Sequence, residues 1–219
     1  MTWMETEREA LVQTLRGADP EAPTLCEGWS VRHLLAHLVE REQEPARYAA
    51  DMAATRLGRE PGAEPFLSRL AGSAVTAPGY AALVDRFAGG GSPLVALGDR
   101  AHLIEYVVHH EDVRRAGAEP AEPRVLAPDL VRAVWQHLGA LARTAYRSSP
   151  VGVVLVVPGG PRRVVRRGAD AVVVSGDPVE QALFALGRRE VADVEILGAP
   201  ETVARFEAWA DLAGRVSGR

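Results

Sequence analysis

The sequence lacks the features of several protein classes. Its 219 residues include a single cysteine, so no internal disulfide can form, and a reducing cytoplasm is the expected location. No apolar run approaches the ~20 residues of a membrane-spanning helix, and the N-terminus shows no signal-peptide pattern, so we expect no membrane partner. A formal net charge of −4 without a basic face argues against nucleic acid. The main arginine cluster surrounds two valines and predicts a solvated strand edge: Arg162, Arg163, Arg166 and Arg167.

Several catalytic signatures are also missing. His110 and Glu111 do not form a zincin motif, because Arg114 stands where the second histidine is required. The glycine run at residues 89–91 lacks the lysine of a phosphate-binding loop and follows no predicted strand. No G-x-S-x-G elbow is present. Cys26 has no cysteine partner for redox chemistry, which leaves a structural role near a helix start or a thiol close to a metal.

The hydrophobic pattern changes character near residue 149. Before this point, apolar residues recur at helical spacing, and beyond it short valine-rich runs alternate with turn residues and two helices. We therefore predict an all-helical domain over residues 1–148 and a small α+β domain over residues 149–219. The predicted helices cover 5–16, 31–56, 79–87, 97–116, 128–147, 177–186 and 200–213, and the strands cover 151–157, 163–167, 171–174 and 194–197. Residues 57–78 are predicted to form a long connection with one helical turn near 66–70.

The predicted helix over residues 97–116 carries a polar stripe. At about 100° per residue, His102, Glu105, His109 and Asp112 fall on one side, with apolar residues on both flanks. Burying a carboxylate is costly unless it is paired or bound to a cation, and imidazole with carboxylate suits Zn, Ni, Fe or Mn. The alternative is a hydrogen-bonded Glu–His pair without metal, since this spacing is common in helices.

A second histidine pair lies on the predicted helix that follows Ser30. His33 and His37 are four residues apart, and His37 lies at the edge of the apolar arc while His33 lies further round, toward Glu40. The two histidines are either a solvated pair, or His37 points into a cavity of a helical bundle. Three ligands from two helices would leave open coordination positions, as in catalytic metal sites.

These motifs resemble a known family. The segment 24–38, with Gly28 and Trp29 before the helix and His37 between Ala36 and Leu38, is similar to the second helix of DinB/YfiT-like proteins. The actinobacterial branch with the mycothiol-dependent maleylpyruvate isomerase metal-binding domain is the most similar. The pattern Glu105-x-x-x-His109-x-x-Asp112 resembles its second motif, and the likeness extends over about residues 1–147.

The resemblance implies a four-helix bundle with long crossover connections and a divalent metal held by His37, Glu105 and His109. Zinc is expected, with nickel as the alternative. His33 and His102 are not ligands in that pattern, and His102 either supports the site or lines its cavity. Asp112, one turn beyond His109, is expected to orient that ligand.

The remaining sequence more loosely resembles the small α+β domain that follows the bundle in these isomerases. The resembling stretch is 176–188, and Arg188 is the candidate for the arginine that this domain contributes to catalysis. The alternative for Arg188 is a cation favoured by the dipole at a helix C-terminus. Bundles of this kind often pair, so a homodimer is one expected assembly.

Three functions follow as hypotheses. The first is a transferase or isomerase that uses a thiol, with mycothiol as co-substrate and an electrophilic small molecule as substrate. The second is a metal-dependent hydrolase with the same ligands. The third is a non-catalytic protein that binds a metal or a small ligand, for which a closed, four-ligand metal site would be evidence.

Overall fold

The computed structural model describes residues 2–56, 65–90, 98–117 and 121–217. Contacts divide the chain into two compact units, a first unit of residues 1–122 and a second unit of residues 123–218. The predicted fold class is confirmed, because helices dominate and a small mixed sheet follows toward the C-terminus. None of the described helices combines the length and the apolar character that crossing a bilayer demands.

The regular elements in the described part of the first unit are all helices, and an isolated β-bridge joins Pro23 and Ser30 in the loop before the second helix. Its first helix starts at a capping box, in which Thr2 and Glu5 each accept a hydrogen bond from the other's backbone N–H. Thr76 caps a later helix by accepting a hydrogen bond from the N–H of Gly79. The six helices described are α1 (Trp3–Gly17), α2 (Val31–Gln43), α3 (Pro45–Arg56), α4 (Pro65–Ser73), α5 (Ala77–Ala88) and α6 (Asp99–Arg114).

The core of the first unit lies between α1, α2, α5 and α6. Helix α1 packs against α5 and α6, while α2 packs against α3, α4 and α5. Each helix contributes a buried apolar stripe at three- and four-residue spacing, which is what holds an amphipathic helix in a bundle. The largest fully buried apolar side chains of this core are Met4, Leu11, Leu15, Leu34, Leu35, Leu38, Phe87 and Tyr106.

Two predictions for the first unit were wrong in detail. The helix predicted over residues 31–56 is broken at Glu44, because Pro45 lacks an N–H and disfavours helical geometry in the residue before it. The single turn predicted near residues 66–70 is the nine-residue helix α4. Residues 57–64 of the predicted connection lie outside the described residues, as do residues 91–97.

The second unit combines three helices with a four-stranded sheet. The strand order is β2-β1-β3-β4, with β1 and β3 parallel and the other neighbours antiparallel. Helix α7 packs on α8 and β2, and both α8 and α9 pack on β3. The predicted strands lie within two residues of those found. The elements are α7 (Pro128–Ala145), β1 (Gly152–Val156), β2 (Arg162–Arg166), β3 (Ala171–Gly176), α8 (Pro178–Ala185), β4 (Val194–Leu197) and α9 (Pro200–Ser217).

The arginine cluster lies on or next to edge strand β2, but two of its members are anchored rather than freely solvated. The guanidinium of Arg163 donates a 2.7 Å hydrogen bond to the carbonyl of Trp135 and lies over its ring. Gly139 leaves room for it, since a Cβ there would lie 2.4 Å from Arg163 Nη1. Arg166 donates to the carbonyl of Arg147. These arginines therefore hold the edge strand against α7 and the residues that follow it.

Helix α7 groups with the sheet by its contacts, although it continues the helical part of the sequence. The contact boundary lies after Glu122, whereas the predicted domain boundary at 148/149 marks where strands begin to replace helices. The two boundaries describe different properties of the chain, and the predicted one stays a prediction.

Candidate metal centre

The loop before α2 places the side chains of Cys26 and Trp29 beside residues of the candidate metal site. The N–H of Trp29 donates to the carbonyl of Cys26, and Gly28 between them has a φ of 76°, the left-handed geometry that glycine adopts without strain. The N–H of Leu25 donates to the carbonyl of Asp112 on α6. This hydrogen bond fixes the loop to α6. The Gly28-Trp29 pair of the sequence motif therefore has a structural role, because it forms the turn of this loop.

The structure brings together the three residues predicted as metal ligands. One potential donor atom from each of His37, Glu105 and His109 lies within 4.8 Å of the other two. His109 Nε2 is 3.5 Å from Glu105 Oε2, and the rings of His37 and His109 have centroids 5.2 Å apart. Glu105 keeps 31% of its side chain exposed, so the cluster is open to solvent on one side.

Asp112 orients His109, as the resemblance implies. Its Oδ2 lies 2.8 Å from Nδ1 of His109, and the aspartate side chain is fully buried. An ionised carboxylate can only accept, so Nδ1 carries the proton and donates it. Nε2 of His109 is then directed at Glu105 and His37, the arrangement in which a carboxylate fixes the tautomer of a metal-binding histidine.

Arg41 is a cation at the edge of this cluster. Its Nε is 3.6 Å from Glu105 Oε2, and its Nη1 lies 3.1 Å from Nδ1 of His102, which is fully buried. His102 also stacks on Tyr106 with centroids 5.6 Å apart. His102 therefore supports Arg41, and Arg41 positions the Glu105 carboxylate.

Electrostatics in the metal-free site favour charged forms. Burial raises the pKa of Glu105, but the hydrogen bond with His109 and the charges of Arg41, His109 and His37 outweigh it and lower that pKa to about 2. Burial lowers the pKa of His109, but hydrogen bonds with Asp112, Cys26 and Glu105 raise it well above its ordinary value. Glu105 is therefore ionised and His109 retains its proton in the metal-free site, so a metal ion that binds Nε2 of His109 would displace that proton.

Two aromatic side chains surround His37, and sequence reasoning missed both as parts of the site. The rings of Trp29 and Tyr48 have centroids 5.1 Å and 5.6 Å from that of His37. Tyr48 lies on α3, which the helix break before Pro45 turns back toward α2. The signal for Tyr48 was Pro45 itself, since it implies a change of direction three residues earlier.

Cys26 belongs to a second cluster that shares His109. Cys26 Sγ donates to Asp112 Oδ2 at 3.3 Å, and one donor atom from each of Cys26, His109 and Asp112 lies within 4.8 Å of the others. The sequence left two roles open for Cys26, a structural one near the helix start and a thiol close to a metal. Its position beside Asp112 and His109 fits the second. The two clusters lie on opposite sides of the His109 ring, since Asp112 contacts Nδ1 and Glu105 contacts Nε2.

The other predicted residues lie in separate surroundings. His33 Nδ1 is 2.9 Å from the hydroxyl of Ser30, which consequently makes no capping hydrogen bond to α2. In the second unit, Arg188 follows α8 and donates from Nη1 to the carbonyl of Leu186 at 2.7 Å. This bond fits the alternative of a cation at a helix C-terminus, and it leaves the catalytic role a prediction.

One family model matches the chain, and two solved structures share its fold. The family model described as the mycothiol maleylpyruvate isomerase N-terminal domain matches residues 4–114. A crystal structure of the mycothiol-dependent maleylpyruvate isomerase matches with a TM-score of 0.57, and that of a mutant of it with 0.56; both are 18% identical, with 89% of this chain and 90% of theirs covered. A comparison with curated sequences finds no match. At this identity the structural likeness shows the fold alone.

Proposed function

Because the chain belongs to the mycothiol maleylpyruvate isomerase N-terminal domain family, we propose that it binds a divalent metal through His37, Glu105 and His109 and uses it in thiol-dependent chemistry. The single observation that carries the proposal is the convergence of these three side chains from two helices that are distant in sequence. The reaction class is transfer or isomerisation of an electrophilic small molecule, with mycothiol as co-substrate.

The donor set fits a transition metal. Two imidazole nitrogens and one carboxylate oxygen are the ligands of many catalytic zinc sites, in which a fourth position stays open. We propose zinc, and nickel fits the same donors. A thiolate as fourth protein ligand would close such a site. The thiol of Cys26 instead contacts Asp112, which lies on the Nδ1 side of the His109 ring, opposite the proposed ligands.

A bound metal would supply a Lewis acid that lowers the pKa of a thiol and so makes it nucleophilic. The side chains around it have separate tasks. Asp112 holds the tautomer of His109, and Arg41 holds the carboxylate of Glu105 and offers positive charge to an anionic group. Trp29 and Tyr48 pack beside His37 and limit the orientations of its ring. Arg188 is proposed to stabilise negative charge on the substrate.

Metal content tests the proposed ligands. We expect about one metal ion per chain in the purified protein and loss of most of it in His37→Ala and His109→Ala. The matched control is His33→Ala, because His33 lies one turn from His37 on the same helix and contacts Ser30 rather than the cluster. Elemental analysis after dialysis measures all four proteins. Unchanged metal in both ligand variants would remove the proposed site.

A second assay separates the thiol-dependent reaction from hydrolysis. Mycothiol and a panel of electrophiles are incubated with the metal-loaded protein, and adduct formation or isomerisation is followed by mass spectrometry. Turnover that requires mycothiol supports the proposal, whereas release of hydrolysis products from esters or amides without thiol supports a hydrolase. Arg188→Gln is expected to lower kcat and leave metal content unchanged. If Arg188→Gln keeps full activity, Arg188 is no more than a helix cation.

A further inference from the structure

The second unit contains a cavity whose lining residues all belong to that unit. Its volume is about 530 Å³, within the range of pockets that hold small organic molecules. The lining comes from the end of α7 and the residue after it, from the end of α8 and the residues after it, and from α9. Alanines, Leu141, Leu186 and the ring of Trp209 make most of its wall apolar.

Two cations line this otherwise apolar cavity. Arg188 and Arg189 follow α8 directly, and none of the lining residues that the structure describes is acidic. The guanidinium of Arg189 lies over the ring of Phe184, 5.4 Å from its centroid, and its Nε is buried without a hydrogen-bond partner among the described residues. Asp211, exposed on α9, is the acidic side chain whose charge acts on Arg189.

A buried hydroxyl in the lining also lacks a partner. Tyr146 is 1% exposed, and its hydroxyl makes no hydrogen bond in the part of the chain that is described. Its ring is held by Phe206 and Trp209, with centroids 6.0 Å and 6.2 Å away. Burial raises the pKa of Tyr146 strongly, while the charge of Arg189 works against this increase, so the two groups act on each other. A buried polar atom left without a partner is unfavourable, and a ligand that accepts its hydrogen bond removes that penalty.

We propose that this cavity binds a small organic carboxylate, with its apolar body against Trp209 and the leucines and its carboxylate between Arg189 and the hydroxyl of Tyr146. A carboxylate accepts hydrogen bonds from both groups at once, whereas a neutral amide offers a single acceptor oxygen and no charge. The site goes beyond the proposed metal function and does not depend on it, because the proposal uses Arg189 and Tyr146 and none of the metal ligands; Arg188, the candidate catalytic arginine, also lines the cavity.

Binding of matched carboxylates and amides tests the proposal. The probes are phenylacetate against phenylacetamide and heptanoate against heptanamide, titrated by calorimetry into the full chain after removal of metal. We expect at least one carboxylate to bind about 10- to 100-fold more tightly than its amide, as the loss of a charge-assisted hydrogen bond implies. Arg189→Gln should abolish this preference, and Arg189→Lys should restore part of it. The control Arg205→Gln removes an exposed arginine of α9 and should change nothing.

Tyr146→Phe provides a readout that a purely structural tyrosine would not give. Removing a hydroxyl without a partner should leave the urea midpoint of the free protein unchanged or slightly higher, yet weaken the carboxylate about 3- to 10-fold. The proposal is overturned if neither carboxylate binds at millimolar concentration or if the amides bind equally well. A preference that survives Arg189→Gln also overturns it, as does a Tyr146→Phe variant that loses stability but not affinity. None of these outcomes bears on the metal, because the titrations contain none.

Discussion

The two units of this chain bury different kinds of side chain. The core of the second unit is apolar, and Glu180 is the one acidic or basic side chain in its described part that is buried, where it accepts a hydrogen bond from the N–H of Asp193. The first unit is similar in size but holds a whole set of buried ionisable residues: Glu7, Glu40, Glu42, His102, His109, His110, Glu111, Asp112 and Arg115.

This difference indicates that the first unit keeps buried charges for chemistry, at a cost in stability. Buried ion pairs stabilise a fold weakly compared with apolar packing of the same volume, so nine buried acidic or basic side chains in one unit need another reason. Several face each other directly, such as Glu7 with His110 at 2.8 Å and Glu111 with Arg115 at 2.6 Å. His109 and its supporting carboxylate Asp112 belong to this set, whereas the other two proposed ligands, His37 and Glu105, are half-buried.

The largest expected effect is on stability, from breaking an ion pair inside the first unit. Arg8 donates to Glu42 at 2.9 Å and to the hydroxyl of Tyr106, which itself contacts Glu42. Arg8→Met leaves the fully buried Glu42 carboxylate without its cation, so we expect a loss of about 3–5 kcal/mol in the free energy of unfolding. Urea denaturation measures it.

The matched change in the second unit is Arg205→Met. Arg205 pairs with Asp170 at 2.9 Å, and both side chains are more than half exposed. Such a pair contributes under about 1 kcal/mol, so the variant should unfold almost as the parent does. Equal losses in the two variants would contradict the contrast between the units.

The next effect is on metal affinity. Asp112→Asn keeps the size of the side chain but removes the charge that fixes Nδ1–H of His109. We expect metal affinity to fall about 10- to 100-fold, as is typical when such a supporting carboxylate is changed. Competition with a chromophoric chelator gives the dissociation constant, and Asp170→Asn, on the surface of the second unit, should match the parent. Unchanged affinity in Asp112→Asn would mean that His109 needs no orienting partner.

A smaller effect is expected on the pH dependence of stability in the metal-free protein, where one carboxyl in each unit acts in the opposite direction. The pKa of Glu105 falls from 4.5 to about 2 on folding, so its ionised form stabilises the fold above 4.5, and that contribution is lost as the pH falls toward 2. Burial raises the pKa of Asp177, which caps α8, so its contribution is present below 3.8 and is lost as the pH rises.

Urea denaturation on both sides of these pH values measures the two slopes. The stability advantage of the parent over Glu105→Gln should shrink as the pH falls, whereas its advantage over Asp177→Asn should shrink as the pH rises. The same direction in both comparisons would show that the electrostatic contrast between these two carboxyls is wrong.

The smallest effect is expected from Cys26→Ser. A serine hydroxyl can donate to Asp112 as the thiol does, so stability should change by about 1 kcal/mol or less. Metal content should stay at the parental value if the ion lies among His37, Glu105 and His109. Loss of metal in Cys26→Ser together with its retention in His37→Ala would assign the ion to the other cluster, formed with Asp112.

Part of the candidate site could be predicted because it depends on local geometry. Glu105, His109 and Asp112 share a face of α6 by spacing alone, and the pairing of His109 with Asp112 follows from a separation of three residues. The approach of His37 came from the family resemblance, since no local rule relates α2 to α6. Arg41 and Tyr48 were missed, because their roles depend on how α2 and α3 turn toward each other after Glu44.

The four strands, most of the helices, the polar stripe on α6 and the exclusion of disulfides were determined by the sequence, because periodicity and composition act over a few neighbouring residues. Tertiary structure alone decided which buried charges face each other and that Cys26 reaches Asp112 from a loop 86 residues away. It also decided that Tyr146 and Arg189 line one cavity. The physical reason is that burial and pairing depend on distances between elements, and no spacing within one element determines those distances.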